Sequence, residues 1–290
     1  MSTEIYYFSG TGNSLHVAKE LQKRLPDADL IPILSLVNKD TIITRGTTVG
    51  FVFPHYASSL PKIVRIFIDK LNVESTEYLF AIATRGRTET MAFLEIDKIL
   101  KSKGRRLDSF FAITMPSGSE PLVKGYADRI TSERILRLES EMLGRLDSIQ
   151  KIILGKEISR IRDTGDGTQS PSYIVPFLPL LRLITPLLVP LGKLVETSFH
   201  LYHDEKCTGC ELCAEVCLAG KIQMDGGFPV WQETIKCHGC FACLNYCPLE
   251  SIQVKSKFYL KSYTSQNGRY HHQDIKAKEI AAQKTFSSSL

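Results

Sequence analysis

The first 155 residues alternate short apolar runs with longer stretches in which apolar residues recur at helical spacing. Short runs rich in β-branched and aromatic residues are typical of strands buried on both faces of a parallel sheet. The pattern predicts strands at 4–8, 29–34, 47–53, 78–84 and 107–114 and helices at 13–25, 60–71, 88–103 and 131–154. Strand and helix in alternation predict an α/β fold, a doubly wound five-stranded parallel sheet with helices on both faces.

The loops that follow the predicted strands are the expected place for a ligand. Right-handed crossovers bring all these loops to one edge of the sheet, and ligands bind there where the strand order reverses. The last predicted helix should instead serve the core. Its apolar residues recur at helical spacing, and they are Ile135, Leu138, Met142, Leu146, Ile149 and Ile153.

The rest of the chain divides by composition into a connector, a cysteine-dense part and a polar tail. Residues 163–172 are polar and rich in Gly and Ser, and four prolines and Arg182 interrupt the apolar stretch after them. A membrane-spanning helix needs about 20 apolar residues with few charges, so broken amphipathic helices are predicted, with contact of 171–200 with a membrane surface as the alternative. The predicted units are 1–160, the connector 161–202, 203–256 and the basic tail 257–290.

Composition excludes some classes of function. The 43% hydrophobic and 23% charged residues are typical of a globular protein, and a net charge of +5 without clustering does not indicate nucleic-acid binding. Residues 200–254 hold three Lys against seven acids, whereas 255–290 hold seven basic residues against two acids. The basic tail, with RYHH at 269–272, is predicted to be a solvated surface strap; docking of an acidic redox partner or a contact near a cofactor is the alternative.

The start of the chain, MSTEIYY, lacks the basic and apolar regions of a secretory signal. We therefore expect a cytoplasmic protein, and in that reducing compartment disulfides are unlikely to form. The eight cysteines need another role. They form two runs of identical x2, x2, x3 spacing, 30 residues apart, namely Cys207, Cys210, Cys213, Cys217 and Cys237, Cys240, Cys243, Cys247.

This spacing is that of bacterial ferredoxins, in which the fourth Cys of each run ligates the other cluster. Three thiolates at i, i+3 and i+6 ligate one part of a cubic cluster. The fourth thiolate must come from elsewhere in the chain. The sequence therefore predicts two [4Fe–4S] clusters, one held by Cys207, Cys210, Cys213 and Cys247 and the other by Cys237, Cys240, Cys243 and Cys217. A structural zinc site usually uses two separated CxxC pairs. Two complete four-Cys runs contain more cysteines than one such site needs.

The stretch YFSGTGNS lies between the first predicted strand and helix. A dinucleotide fingerprint would have a third glycine where Leu15 stands, and a P-loop would have a lysine that this loop lacks. The remaining interpretation is a nest for a single phosphate, in which backbone N–H groups at a helix N-terminus attract the anion. Side chains that complete this nest are Ser9, Thr11, Asn13 and Ser14.

The six residues Ser9-Gly10-Thr11-Gly12-Asn13-Ser14 resemble the first loop of flavodoxins, S/T-x-T-G-N-T/S, which holds the phosphate of FMN. With the cysteine runs, most of the chain resembles bacterial flavodoxin–ferredoxin fusion proteins. That resemblance implies an isoalloxazine ring between the loops at 53–61 and 84–88. The implied ring-contacting residues are Pro54, Tyr56, Thr84, Arg85, Gly86 and Arg87.

Three of these residues carry specific hypotheses. Tyr56 either stacks on the flavin or is an aromatic turn residue that packs on the next helix. Arg85 and Arg87 stand where flavodoxins have an acidic surface, so one of them is expected to stabilise the reduced flavin anion. The loop MPSG at 115–118 either closes the site or is an ordinary loop.

The predicted function is electron transfer between two [4Fe–4S] clusters and FMN, which would link a redox partner protein or a small electron acceptor to a flavin. The alternative is a redox sensor or docking module with structural clusters and no flavin. Failure to bind FMN would favour that alternative. The sequence has no catalytic triad, no metal-hydrolase motif and no second nucleotide motif for NAD(P)H.

Overall fold

Five parallel strands form the centre of the N-terminal half in the computed structural model, which describes residues 2–56, 58–86, 90–118, 131–161, 199–256 and 268–285. The strands are β1 (Thr3–Tyr7), β2 (Ala28–Pro32), β3 (Ile42–Ile43), β4 (Thr48–Pro54), β5 (Leu71–Asn72), β6 (Tyr78–Arg85) and β7 (Ser109–Thr114). The helices are α1 (Asn13–Arg24), α2 (Lys62–Lys70), α3 (Ala92–Lys101) and α4 (Ser132–Leu154).

The main sheet has the strand order β2-β1-β4-β6-β7, with every neighbour parallel. With the two-stranded β3–β5 pair set aside, this is the 2-1-3-4-5 order of a flavodoxin-like α/β fold. All five predicted strands are present, with ends shifted by no more than two residues. The predicted fold class is confirmed, and the strand order reverses between β1 and β4, so the loops after these two strands flank the expected ligand position.

Close packing of the central strands explains the apolar runs. Every residue of β6 is buried, and so are all residues of β4 before Pro54. Gly50 is required here, because a Cβ atom at this position would lie 2.0 Å from the Phe80 ring. Helix α1 packs beside α4 and α2 beside α3, which covers the sheet with two helix pairs. Five of the six predicted core residues of α4 are buried, and Ile135 is half-buried.

The C-terminal part is small and mixed. Its strands are β8 (Phe199–His203), β9 (Ile222–Asp225), β10 (Phe228–Trp231) and β11 (Ile252–Ser256), with antiparallel pairing of β8 with β11 and of β9 with β10. The stretch KIQMDGGFPVWQ between the two cysteine runs predicts a β-hairpin around Asp225-Gly226-Gly227. This hairpin is present and turns at two positive-φ glycines, Gly226 and Gly227. A short helix lies within each cysteine run, α5 (Leu212–Glu215) and α6 (Ala242–Asn245), and α7 (Ala277–Ala281) lies near the C-terminus.

The backbone of this part repeats after 30 residues, as the cysteine spacing does. Positive φ values occur at Gly209 and Gly239, at Glu211 and Phe241, and at Gly220 and Glu250. A non-glycine residue with positive φ is uncommon, so its recurrence at equivalent positions of both copies indicates a duplicated unit. Residues 162–198, which include most of the predicted connector, lie outside the described residues. None of the helices that the structure describes is both long and apolar enough to span a membrane.

Candidate functional site

The eight cysteines lie in two groups, each combining three residues of one run with the fourth residue of the other. The first cysteine set lines a single cavity and consists of Cys207, Cys210, Cys213 and Cys247. In the second cysteine set, the thiols of three residues each interact electrostatically with Cys217, and these three are Cys237, Cys240 and Cys243. The structure thus places the first set around one cavity, and ligation of clusters by the two crossed sets stays a prediction.

Backbone amides donate hydrogen bonds to several of the sulfur atoms. Lys221 N donates to Cys217 Sγ at 3.2 Å, and Ser251 N donates to Cys247 Sγ at 3.3 Å, at equivalent places of the repeat. Such donors favour a thiolate. Burial raises the pKa of Cys213 to about 11 and that of Cys240 to about 12.

Spacing between the sulfur atoms argues against a single tetrahedral ion. Zn–S bonds of about 2.3 Å place the sulfurs of a zinc site about 3.8 Å apart. Among the described residues, which include all eight cysteines, no three cysteine sulfurs lie within 4.8 Å of one another. Neither cysteine set therefore has the compact spacing of a mononuclear zinc site.

The glycine loop (residues 8–12) connects β1 to α1 and lies where strand order reverses. Gly12 has φ of 95°, a left-handed conformation that favours glycine, and it precedes the first helical residue, Asn13. Asn13 Nδ2 donates to the carbonyl of Pro116 at 2.7 Å, and Ser14 Oγ bonds to Thr84 Oγ1 at 2.7 Å. The first turn of α1 is thereby tied to the ends of β6 and β7.

Donor groups of the loop suit an anion. Within the part of the chain that the structure describes, the amides of residues 10–14 donate to no acceptor. Ser9 Oγ is buried and also has no partner among these residues. Unpaired buried polar groups are rare in folded proteins, and free amides at a helix N-terminus attract phosphate. The residues present therefore fit the phosphate end of FMN.

The loops after β4 and β6 lie beside the glycine loop. Tyr56 and Ser59 exchange two backbone hydrogen bonds of 3.1 and 2.9 Å, which makes the first of these loops a tight turn. His55 N donates to the carbonyl of Thr84, so the two loops are also joined. Thr84 and Arg85 are buried, whereas Pro54 and Gly86 are half-buried. Arg87 lies outside the described residues.

Tyr56 connects the glycine loop with the second cysteine set. Its ring packs edge-on against Phe8, with ring centroids 6.4 Å apart. A Cβ atom at Gly10 would lie 3.0 Å from Tyr56 Oη and 2.5 Å from the carbonyl oxygen of Cys240. Burial raises the pKa of Tyr56 well above its usual value, and Cys240 and Cys237 raise it further. This ring contact is with the glycine loop; packing of Tyr56 on the next helix, the predicted alternative, stays a prediction.

Asn245 is a polar residue at the centre of this interface, and the sequence did not single it out. It is buried two residues after Cys243. Its Nδ2 donates to the carbonyl of Gly118 at 2.9 Å, and its Oδ1 accepts from the amide of Tyr270 at 3.1 Å. One side chain thus joins the second cysteine run to the 115–118 loop and to the C-terminal segment (268–285). Each cysteine set has one exposed residue, Cys210 in the first and Cys237 in the second.

Three side chains from distant parts of the sequence form a histidine–carboxylate latch. Glu139 of α4 bonds to His16 Nε2 at 2.6 Å and to His272 Nε2 at 3.3 Å, and the two imidazoles stack with centroids 3.8 Å apart. The amide of Asp274 donates to His272 Nδ1, which leaves the proton of the neutral ring on Nε2. A metal would need the Nε2 lone pair, so the arrangement is a hydrogen-bonded latch.

Replacing Glu139 with Gln should lower the free energy of unfolding at neutral pH by about 1–3 kcal/mol, because two histidine donors lose a charged acceptor. Burial raises the pKa of Glu139, but its hydrogen bonds to His16 and His272 outweigh burial and hold the pKa at about 2, below the usual 4.5. A lowered carboxyl pKa stabilises the fold above 4.5, and this stabilisation is lost as pH falls towards 2.

Urea unfolding of the full chain, followed by circular dichroism, measures this difference. The wild type and Glu139→Gln should converge as the pH falls through that window. Glu141, two residues further along α4 and exposed, provides the matched control, and Glu141→Gln should leave unfolding unchanged. Equal unfolding of wild type and Glu139→Gln at neutral pH would show that the latch contributes nothing to stability.

Comparison with known proteins gives only distant structural matches. No family model and no curated protein matches the chain. A flavoprotein of Bacteroides uniformis is 16% identical over 40% of this chain and 92% of its own, with a TM-score of 0.33. The two-electron reduced flavodoxin of Megasphaera elsdenii is 18% identical over 40% of this chain and 90% of its own, with a TM-score of 0.30.

The rubredoxin oxygen:oxidoreductase of Desulfovibrio gigas is 12% identical over 53% of this chain, which spans 37% of that protein, with a TM-score of 0.30. At these TM-scores the matches carry no argument about function. The flavodoxin-like assignment of the N-terminal half therefore rests on its strand order and on the position of the glycine loop. The functional argument rests on the chain's own residues.

Proposed function

We propose that this protein transfers electrons between FMN, bound at the glycine loop, and two [4Fe–4S] clusters, bound by the two cysteine sets. The observation that carries the proposal is the direct contact between Gly10, Tyr56 and Cys240. A ligand residue of one metal site touches the loop that would hold the flavin phosphate. The cofactors supply the redox chemistry, two electrons for a flavin and one for each cluster, while the chain supplies their positions and electrostatic surroundings.

The residues of the glycine loop have a binding role. The free amides of residues 10–14 and the hydroxyl of Ser9 would hold the phosphate by hydrogen bonds, without a lysine or arginine. Asn13 and Ser14 anchor this loop to the loops after β7 and β6. The isoalloxazine ring would lie between the loops after β4 and β6. The residues of these loops proposed to surround it are Pro54, Tyr56, Thr84, Arg85, Gly86 and Arg87.

The positions of the two cysteine sets support an order for the redox centres. The second set touches the glycine loop through Cys240, and each set includes one exposed residue, Cys210 in the first and Cys237 in the second. We infer that the cluster of the second set exchanges electrons with the flavin, and that the cluster of the first set exchanges electrons with a partner.

The surface around the first cysteine set indicates the chemistry of that partner. Leu249 lines the cavity of this set and is 42% exposed, and Phe228, next to another lining residue, is 45% exposed. Glu211 and Glu250 are exposed beside them. An apolar patch with acidic neighbours suits a redox protein that presents a basic surface around its own redox group. This partner would either supply or accept electrons.

Arg85 is the residue proposed to tune the flavin. It is 6% exposed at the carboxyl end of β6, in the loop proposed to contact the ring. Arg85→Ala should lower the potential for the second one-electron step of flavin reduction by about 60 mV, equivalent to about 1.4 kcal/mol of lost attraction to the reduced anion. Arg85→Lys keeps the charge and should retain most of the potential. An anaerobic redox titration of Arg85→Ala, Arg85→Lys and Arg87→Ala tests this hypothesis. Unchanged flavin potentials in both Arg85→Ala and Arg87→Ala would contradict it.

The composition of the reconstituted protein tests the proposed function. The full chain, reconstituted without oxygen with iron, sulfide and FMN, should contain about eight iron atoms and one FMN per chain. Iron and sulfide without bound FMN would favour the second candidate, a sensor or docking module with structural clusters.

A further inference from the structure

The C-terminal segment (268–285) lies along the glycine loop, 250 residues away in sequence, and bonds to its backbone. The amide of His272 donates to the carbonyl of Thr11 at 2.8 Å. Gln283 Oε1 accepts from the amide of Ser9 at 2.9 Å, and Gln283 Nε2 donates to the carbonyl of Ser9 at 2.8 Å. Gln283 is 0% exposed, so these paired bonds are shielded from water.

The segment also holds the first residue of α1. Tyr270 Oη donates to Asn13 Oδ1 at 2.8 Å, in a buried contact. Asn13 Nδ2 is taken by the carbonyl of Pro116, so both polar ends of the Asn13 side chain are fixed. Because Asn13 is a residue of the loop sequence that resembles flavodoxins, its orientation is set here by a part of the chain that has no counterpart in that motif.

Packing between the segment and the loop is tight. A Cβ atom added at Gly12 would lie 3.0 Å from the Cβ atoms of both His272 and Ile275. The histidine–carboxylate latch attaches His272 to α1 and α4, and Lys19 pairs with Glu279 near the other end of the segment. The segment is therefore fixed to α1 and α4 at two positions, His272 and Glu279, that lie between its loop-contacting residues Tyr270 and Gln283.

Apart from the amide of Ser9, the groups that the segment occupies are acceptor oxygens, which do not suit an anion. It takes the carbonyls of Ser9 and Thr11, the amide of Ser9 and the side chain of Asn13, whereas the amides of residues 10–14 donate to none of the described residues. A loop held in its binding shape loses less conformational entropy when a ligand binds. The segment thus acts on the shape of the loop and leaves its phosphate donors available.

We propose that the C-terminal segment is part of the phosphate-binding site, with Tyr270 and Gln283 as positioning residues that hold the glycine loop in the shape that binds the phosphate of FMN. This inference rests on the proposed binding of FMN by the loop. It assigns a role in cofactor affinity to a polar tail predicted to be a surface strap.

Two variants of the full chain test this role. Tyr270→Phe removes one hydroxyl and keeps the ring, and the affinity for FMN should fall about fivefold, the effect of losing one hydrogen bond. Gln283→Leu leaves both polar groups of the Ser9 backbone unpaired, and the affinity should fall by about tenfold or more. Tyr202→Phe, at an exposed tyrosine of the cysteine-dense part, is the matched control and should bind FMN normally.

Riboflavin, which lacks the phosphate, separates loop effects from ring effects. Titration by flavin fluorescence should show that Tyr270→Phe weakens FMN binding and leaves riboflavin binding unchanged. Equal weakening of both flavins, or unchanged FMN binding in both variants, would overturn the proposal.

A second measurement does not depend on the flavin. Hydrogen exchange of the amides in residues 9–14 should become faster in Tyr270→Phe and Gln283→Leu than in wild type. Wild type that binds no FMN would refute the proposed function, whereas unchanged exchange in both variants would refute the positioning role itself.

Discussion

Replacing Gly10 with alanine is expected to separate the second cysteine set from the glycine loop and to slow electron exchange between that cluster and the flavin. The new Cβ atom would lie 2.5 Å from the carbonyl oxygen of Cys240 and 2.8 Å from its Cβ atom. Both are closer than van der Waals contact, and a backbone carbonyl cannot rotate aside as a flexible side chain does. Overpacking of this kind costs about 1–3 kcal/mol, so the contact should open.

The comparison is made on protein reconstituted with all cofactors. After rapid anaerobic mixing with a reductant, flavin bleaching should lag behind cluster bleaching in Gly10→Ala, while the iron content equals that of wild type. Gly144→Ala is the matched control, because a Cβ atom at this exposed helical position has no neighbour within 4 Å. It should raise stability by about 0.5–1 kcal/mol and leave the kinetics unchanged. Identical flavin bleaching in Gly10→Ala and wild type would contradict the contact's role.

Replacing Cys217 with serine is expected to damage the cluster of the second cysteine run, although Cys217 belongs to the first run in sequence. The reason is the crossed grouping, in which Cys217 interacts with Cys237, Cys240 and Cys243. Cys247→Ser should in turn damage the cluster of the first cysteine run, because Cys247 lines the same cavity as Cys207, Cys210 and Cys213. Each variant should lose up to about half of the eight irons of two [4Fe–4S] clusters.

Electron paramagnetic resonance of the reduced variants distinguishes crossed from uncrossed ligation. Cys217→Ser should leave the same undamaged cluster signal as Cys240→Ser, and Cys247→Ser the same signal as Cys207→Ser. Ser251→Ala serves as a control that alters a hydrogen bond to Cys247 and removes no thiolate. If Cys217→Ser matched Cys207→Ser instead, the ligands of each cluster would come from one run.

The sequence predicted the features that depend on local pattern. The apolar runs at 47–53 and 78–84 became β4 and β6 because a strand buried on both faces needs apolar residues at every position. The Asp225-Gly226-Gly227 turn formed a hairpin because both glycines adopt positive φ. The cysteine spacing predicted the crossed grouping, because three closely spaced thiols of one run cannot also provide the fourth ligand of a cubic cluster.

Features of the site that depend on distant residues were not predictable in this way. Asn245, Tyr270 and Gln283 are buried polar residues whose partners lie between 25 and 274 positions away in sequence. No local periodicity marks such contacts, and a polar tail gives the same pattern whether it is solvated or packed on a backbone. Gly10 fits the phosphate-loop motif, and that motif alone accounts for a glycine at this position. Its second role, which is to allow the close approach of Cys240, was therefore not predictable from the sequence.

One pair of short strands illustrates the same limit. Strands β3 and β5 have two residues each and were not predicted, because two residues are too few to show an alternating pattern. Helix α3 begins at Ala92 instead of 88. The amide of Met91, directly before the helix, donates to the carbonyl of Ser58, a contact with a distant residue that no local pattern marks.

Stepwise photoreduction of the anaerobic, reconstituted full chain tests the central claim most directly. The absorbance of flavin and clusters is followed together, and electrons added to one centre should redistribute to the other within the same molecule, at a rate independent of protein concentration. Bleaching of the two chromophores in unrelated steps, or redistribution that slows in proportion to dilution, would contradict intramolecular electron transfer between the glycine loop and the cysteine sets.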